Sequence, residues 1–344
     1  MTSPQFANPT ESALLRRAAT GDTTAFDTLT RPYLRPLHVH CYRMLGSPFD
    51  ADDALQETLL AAWRGIGSFE GRSSLGTWLV IIASRICLRM ISRRPRRLTS
   101  SDYRAPLLST ADLGEIVPGP VWLEPIPDDE LVSDAAVHDD PGSTLLRREH
   151  IGLAFVAMLQ HLTGTQRAAL LLCEVLGYSA SETAAMLETS VASINSALQR
   201  ARKTIETKLP GRHPVEKHPV DEKQLDRLLR AFVSAWEQRD VTTMLDLLTE
   251  DVRFTMPPLP AWFRGRAFVA NFFAERVFET PWRLRPLGGN GQPGFACYQK
   301  QVGDDRFRPG GVVLLRVENG RICAIESFLD PAVCRRFGML ETVP

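Results

Sequence analysis

The sequence predicts a multidomain chain of three parts, two all-α units followed by an α+β unit. Three observations carry this. Apolar residues recur at three- and four-residue spacing from residue 11 to 97, and again from about Leu145 to Lys208. Between these segments runs an acidic stretch, punctuated by proline, that keeps no such period. After Lys223 an amphipathic helical pattern gives way to short β-prone runs, two of them joined by "ENGR".

A length of 344 residues leaves room for two or three domains, each able to bury a core. Forty basic residues balance forty acidic ones, so any nucleic-acid surface has to be a local feature. Six cysteines (Cys41, Cys87, Cys173, Cys297, Cys323 and Cys334) are scattered without a C-x-x-C pair or a Cys/His spacing that suits zinc. Reduced, buried thiols are the expectation, with no metal and no cofactor. The opening "MTSPQFANPTE" lacks the basic and apolar regions of a signal peptide, and runs such as "WLVIIA" are short for a bilayer. A soluble, cytoplasmic protein with no membrane partner is expected.

The first unit, residues 10–97, opens with the helical segments "ESALLRRAATGDTTAFDTLTRPYLRPLHVHCYRML" and "DADDALQETLLAAW". In the second of these, Leu55, Leu59, Ala62 and Trp63 fall on one face. Asp52, Asp53, Gln56 and Glu57 then form an outward strip of i,i+4 neighbours. A strip of this kind is ordinarily a solvated face. Next, "FEGRSSLGTWLVIIASRICLRMISRRPRR" supplies a loop with Gly and Ser and a helix from near Leu75. That helix bears Arg85 and Arg89 and ends in Arg93, Arg94, Arg96 and Arg97, a pattern suited to phosphate as well as to solubility.

From Leu98 to Gly142 ten acidic residues stand against the single basic Arg104, so 98–144 is expected to be an extended acidic linker. The second helical unit spans 145–209. Within it, "YSASETAAMLETSVASINSALQRARKTIETK" reads as two helices and a tight turn. Ser179 and Glu182 make a capping-box pattern, Ala184 and Ala185 allow close helix crossing, and Ser190 suits an N-cap. Along the second helix Val191, Ile194, Leu198, Ala201 and Ile205 form the buried side. The other side carries Ala192, Ser193, Ser196, Gln199, Arg200 and Lys203, with Asn195 and Arg202 at its margins. Short side chains let a backbone approach a major groove, and a basic last turn suits phosphate. A plain helical hairpin with a polar face has the same pattern.

A second, Pro-rich linker covers 210–222, and the last unit spans 223–344. "QLDRLLRAFVSAWEQRD" is an amphipathic helix; "RFTMPP", "GFACYQKQV" and "GGVVLLRVENGRICAIESFL" have strand character. Asn-Gly in "ENGR" suits a type I′ hairpin turn. A curved antiparallel sheet with helices against it is expected. Trp236, Phe254, Trp262, Phe263, Phe272, Trp282 and Tyr298 would line a pocket or fill the core. No spacing singles out Asp246, Asp251 or Tyr298 as a proton-transfer group, so no enzyme is expected.

Taken together and in this order, "DADDALQETLLAAWR", "FEGRSSLGTWLVIIASRICLRMISRR" and "LQHLTGTQRAALLLCEVLGYSASETAAMLETSVASINSALQRAR" closely resemble regions two and four of extracytoplasmic-function sigma factors, over roughly residues 10 to 208. "VWLEPIPDDELV" and the appended unit resemble the actinobacterial SigG-like subfamily, whose last domain is SnoaL-like, on the NTF2-like cone fold. The resemblance implies that Asp53, Ala54, Leu55 and Gln56, with Asp52 and Glu57 beside them, contact the clamp of the largest subunit of core RNA polymerase. It implies −10 promoter DNA for Arg72, Ser73, Trp78, Arg85, Arg89, Arg93 and Arg94. Relatives usually carry Asn and Asp where this chain has Arg85 and Arg89, so duplex binding carries over and base preference does not.

Region four is then the reader of a −35 element through Ser190, Ala192, Ser193, Asn195, Ser196, Gln199, Arg200, Arg202 and Lys203, with the flap of the second-largest polymerase subunit as its protein partner. For the C-terminal domain the resemblance implies a small-molecule ligand or an intramolecular contact that regulates the sigma part. Two other functions share parts of this pattern: a standalone helix-turn-helix regulator with a ligand-sensing domain, and an NTF2-like enzyme with a helical extension. The acidic strip and the separate basic helix have no place in the former. The latter needs an acid/base set.

Overall fold

A computed structural model describes residues 9–119, 121–131, 152–208, 221–301, 303 and 305–344. Residues 132–144 of the expected acidic linker, 145–151 at the expected start of the second unit, and 209–220 between the second and third units lie outside the described residues. The chain folds as two compact units: residues within 1–96 and 129–213 form one, residues within 97–128 and 214–344 the other.

The first unit is helical. Helices α1 (Pro9–Ala19), α2 (Thr23–Thr30), α3 (Leu34–Leu45), α4 (Pro48–Gly65) and α5 (Leu75–Arg93) follow one another with short connections. Local chemistry sets the boundaries. Gly46 ends α3 in the left-handed region at φ 75°, and Ser47 then caps α4 by accepting from the Asp50 amide, with Pro48 in the first turn. Ser74 caps α5 by accepting from the Thr77 amide at 3.1 Å. The core lies where Leu37, Cys41, Tyr42 and Met44 of α3 meet Ala51, Ala54 and Ala62 of α4 and Leu79, Ala83 and Cys87 of α5. Helix α5 is apolar and long enough to cross a membrane by composition; its apolar side is buried against α3 and α4.

One detail of α4 departs from the expected face. Its buried line is Ala51, Ala54, Thr58 and Ala62, while Leu55, Leu59 and Trp63 are half-buried beside it. Small residues sit on the contact line because α3 and α5 approach there, and the larger side chains spread over its flank.

The same unit continues with helices Leu153–Leu159, Gly164–Leu170 (extended by a wide turn over Leu171–Val175), Ala180–Met186 and Val191–Lys208. Thr163 with Gln166 and Ser179 with Glu182 form reciprocal capping boxes, and Ser190 accepts from the Ser193 amide at 3.1 Å. Ala169, Ala184, Ile194, Ala197 and Leu198 pack the helix-turn-helix. Two expectations need correction. Val191, in the first turn before the helix docks, is 43% exposed, and Ala197 takes its place on the buried side. Ala184 is buried at the crossing, but Ala185 faces solvent.

The second unit carries six strands, β1 (Leu248–Thr255), β2 (Trp262–Arg264), β3 (Trp282–Gly289), β4 (Gln292–Gln299), β5 (Arg308–Glu318) and β6 (Arg321–Phe328), in the order β2-β1-β6-β5-β4-β3. The sheet is mixed, not antiparallel throughout, because β6 returns alongside β1 in the same direction. "ENGR" closes β5–β6 as expected, with Asn319 and Gly320 at φ 51° and 74°. Asn290 and Gly291 close β3–β4 in the same way, at φ 52° and 66°.

Helices Glu222–Gln238, Val241–Asp246 and Arg266–Glu275 pack on one face of this sheet around Phe232, Trp236, Phe254, Phe263, Phe272, Phe273 and Phe295. Phe232 stacks on Phe295 at 5.5 Å and Trp236 meets Phe273 edge-on at 5.1 Å.

The first part of the acidic stretch belongs to this unit. Leu107 donates from its amide to Trp262 (2.8 Å), Val117 to Pro258 (3.1 Å), and the Trp262 indole to the Arg104 carbonyl (2.8 Å). Thr110 bonds Glu275, and Arg276 bonds the Thr110 carbonyl. Asn290 exchanges two 3.0 Å bonds with the Ile126 backbone, and Asp128 accepts from the Gly291 amide at 2.6 Å. Trp122, Leu123 and Ile126 are buried. Residues 97–128 are therefore a strap bound along the sheet unit by both hydrogen bonds and apolar contacts.

Candidate functional site

Three features of the helical unit answer to the residues singled out from sequence. On α4, Asp53, Gln56 and Glu57 are exposed one turn apart, as the spacing required. Asp52 is half-buried and pairs with His38 at 2.8 Å. Ala54 is completely buried and Leu55 half-buried, so neither belongs to the outward strip. Leu60, which charge patterning missed, continues that strip at 55% exposure. Asp53, Gln56, Glu57 and Leu60 form one wall of an open groove of about 360 Å³, with Met90, Arg93 and Arg94 of α5 opposite. An exposed leucine at the end of a carboxylate strip suits a protein partner that is basic and partly apolar.

On α5 and the loop before it, Arg72 and Ser73 are exposed, and Arg72 pairs with Glu70 at 3.0 Å. Trp78 is half-buried against Phe69, 5.1 Å between rings. Arg89 donates to Glu57 at 2.7 Å, and Arg94 pairs with Asp50 and lies 3.8 Å from Asp53. The carboxylate strip of α4 and the arginines of α5 thus face each other across the groove. Exposed pairs of this sort are worth about 0–1 kcal/mol each and exchange readily for other partners. Arg93 is exposed at the end of the helix.

In the helix-turn-helix, Ala192, Asn195, Ser196, Gln199, Arg200, Arg202 and Lys203 are exposed on the last helix, and Ser190 caps it. Ser193 is half-buried under that cap. Arg202 bonds Glu174 at 2.8 Å, which orients it. The turn is tight because Glu188 takes the left-handed conformation, φ 53°.

The two DNA-facing candidates are in contact. Arg85 donates from Nε and Nη2 to the Met186 carbonyl (3.1 and 2.9 Å), and its Nη1 lies 3.0 Å from Glu188. Thr77 and Tyr178 hydroxyls are 3.2 Å apart, and Arg96 bonds His161 at 2.8 Å. Arg167 is buried, donating to the Met44 carbonyl, to Gln160 (2.8 Å) and to the Leu162 carbonyl (3.1 Å). Its burial lowers the guanidinium pKa to about 10.

In the sheet unit the seven aromatics divide. Trp236, Phe254, Phe263, Phe272 and Trp282 belong to the inner core, whereas Trp262 bonds the strap and Tyr298 packs with Phe307 and Val343 in a separate cluster. Asp246 and Asp251 are exposed, and the Tyr298 hydroxyl accepts from the Leu340 amide at 3.1 Å. These three groups do not converge.

Family models match the chain in three places: Sigma-70 region 2 over residues 29–97, Sigma-70 region 4 over 152–205, and a SnoaL-like domain over 229–325. A relative from Mycobacterium tuberculosis, "ECF RNA polymerase sigma factor SigG", is 38% identical over 323 residues, 92% of this chain and 85% of its own. The chain belongs to the extracytoplasmic-function sigma factors. SigM of the same organism is 30% identical over 192 residues, 56% of this sigma factor and 81% of SigM. Among solved structures, that of M. tuberculosis SigJ superposes with a TM-score of 0.57 at 21% identity, covering 93% of this chain and all of the other, and shares its fold.

Proposed function

We propose that this sigma factor binds core RNA polymerase and directs transcription initiation at a particular set of promoters, acting by binding and not by catalysis. The observation that carries it is that one helical unit presents, in order, an exposed acidic strip with Leu60, an arginine-bearing helix beside it, and a capped helix-turn-helix. Asp53, Gln56, Glu57 and Leu60 meet the clamp of the largest subunit. Arg72, Ser73, Trp78, Arg85, Arg89, Arg93 and Arg94 serve the −10 element, and region 4 takes the −35 element through the helix starting at Val191 while docking on the flap. Guanidinium groups at helix ends and flanks neutralise phosphate; the short Ala192, Asn195 and Ser196 permit close approach to base edges. The SnoaL-like unit regulates the sigma part, through a small ligand or an intramolecular contact.

The test is initiation. With core polymerase and a promoter found by mapping transcripts after overexpression, the purified chain gives run-off transcripts of defined start, and without polymerase it binds that promoter weakly. Tight operator binding by the chain alone, with no initiation on adding core, would falsify the proposal in favour of a standalone regulator.

A further inference from the structure

We propose that the outer face of strands β3 and β4 in the sheet unit binds phosphate and takes the backbone of promoter DNA upstream of the −35 element, an inference that rests on the sigma-factor role given above. From Trp282 to Gly303 the sequence carries Arg283, Arg285 and Lys300 and neither Asp nor Glu. In the β3–β4 register Arg283 lies opposite Tyr298, and Arg285 opposite Ala296. Tyr298 and Ala296 pack with Phe307 and Val343, apart from the helix-covered core that takes Leu284, Phe295 and Cys297. The two arginines, both exposed, therefore stand on the face turned away from the helices.

Strand β3 is an end strand of the sheet, where charged side chains ordinarily guard the open edge. In this unit the charged heads turn back over the face. The Arg283 guanidinium lies 5.3 Å from the centre of the Phe307 ring, the Lys300 ammonium 5.8 Å from the same ring, and Arg285 5.8 Å from the Tyr298 ring. Both rings are held in place: Phe307 exchanges two 2.9 Å backbone bonds with Val343, and the Tyr298 hydroxyl accepts from the Leu340 amide. Arg306, next to Phe307, donates to Thr342 at 3.3 Å. None of these four cations makes an ion pair among the described residues. Two cations sharing one ring repel each other, and an anion seated between them turns that repulsion into attraction. Guanidinium forks match phosphate, and their seats on the rings limit how much freedom binding removes. Arg283 and Arg285 are about 7 Å apart along the strand and exposed, so they suit successive phosphates of a chain more than one enclosed anion. Regions 2 and 4 take the −10 and −35 elements with the DNA between them. The sheet unit follows region 4 in the chain, which leaves it the upstream flank.

The test uses holoenzyme formed by the full chain with core polymerase. It compares a promoter fragment that ends at the −35 element with one that continues upstream by about 20 base pairs of arbitrary sequence, enough to offer several phosphates. Arg283→Gln with Arg285→Gln is expected to lower affinity for the long fragment about five- to tenfold and to reduce its slope of log affinity against log salt by about two. Affinity for the short fragment stays that of the parent. Arg283→Lys with Arg285→Lys, which keeps both charges, retains the slope. Arg227→Gln with Arg230→Gln removes the same charge from exposed positions on the first helix of the unit and changes neither fragment's affinity. No loss on the long fragment, or an equal loss on both, overturns the proposal. If the loss is absent and the parent, but not the glutamine variant, sediments with phosphatidylglycerol vesicles, the face serves a lipid surface instead. Failure of the parent to bind even the short fragment with core overturns the sigma-factor role itself.

Discussion

His40 shows what one residue contributes to the helical unit and what sequence leaves out. It is buried in α3 with its Nε2 2.9 Å from the Ser84 hydroxyl, and burial, with the nearby Arg43 charge, lowers its pKa from the ordinary 6.5 to about 3. The folded state holds it neutral while the unfolded chain protonates it below pH 6.5. Its contribution is therefore complete above pH 6.5 and is lost as pH falls towards 3. Between pH 7.5 and 5.5 the cost is about 1.4 kcal/mol. Urea unfolding at those two pH values should show that loss, and His40→Gln should shrink it; an equal loss in the variant would rule out His40 as the cause.

At the same scale, Asp53→Lys with Glu57→Lys should abolish core binding in a pull-down while moving unfolding free energy by no more than about 1 kcal/mol, since the pairs they make with Arg94 and Arg89 are exposed. Those two carboxylates were legible because charge spacing on a helix survives into any fold. Leu60 was not: an exposed leucine looks in sequence like one more core residue.

Elements were legible where local chemistry decides them. The Ser179–Glu182 box, the Ser190 cap and the "ENGR" turn each depend on a few adjacent residues and formed as their spacing required. Val191 and the buried line of α4 were misplaced because helical period gives a face, whereas neighbouring helices choose its centre. The parallel pairing of β1 with β6 was out of reach for the same reason, as the two strands come from distant parts of the sequence. Two predictions belong to these elements. Ser179→Ala, which removes the hydroxyl that accepts from the Glu182 amide and donates to its carboxylate, the larger of the two bonds that hold that carboxylate's pKa below its usual range, should cost about 1 kcal/mol by thermal unfolding. Arg200→Ala, an exposed residue facing away from the core, should weaken holoenzyme binding to promoters of any −35 sequence alike. It should also reduce the slope of log affinity against log salt by about one. A loss confined to one −35 sequence would make Arg200 a base contact instead.

At the scale of the molecule, the strap changes what a truncation means. Composition alone reads residues 98–144 as a solvated acidic connection, because ten carboxylates and repeated prolines outweigh the scattered Leu107, Trp122, Leu123 and Ile126. The structure buries Trp122, Leu123 and Ile126 and packs Leu107 against the core of the sheet unit. Cutting the chain after residue 210 therefore removes a domain and also strips from residues 97–128 the partners of Leu107, Thr110, Ile126 and Asp128. Such a chain should bind a hydrophobic dye and be cleaved by protease within the strap, where the parent is protected. A change in promoter output on truncation would then have two causes mixed. Asn290→Gly separates them: it keeps the left-handed turn and the backbone partner of Ile126 but removes the side-chain acceptor. If the C-terminal unit regulates by holding the strap, Asn290→Gly should raise protease sensitivity of residues 97–128 and shift run-off transcription in the same direction as truncation. Output that follows truncation but ignores Asn290→Gly would assign control to the sheet unit itself, and output that ignores both would make that unit a passenger.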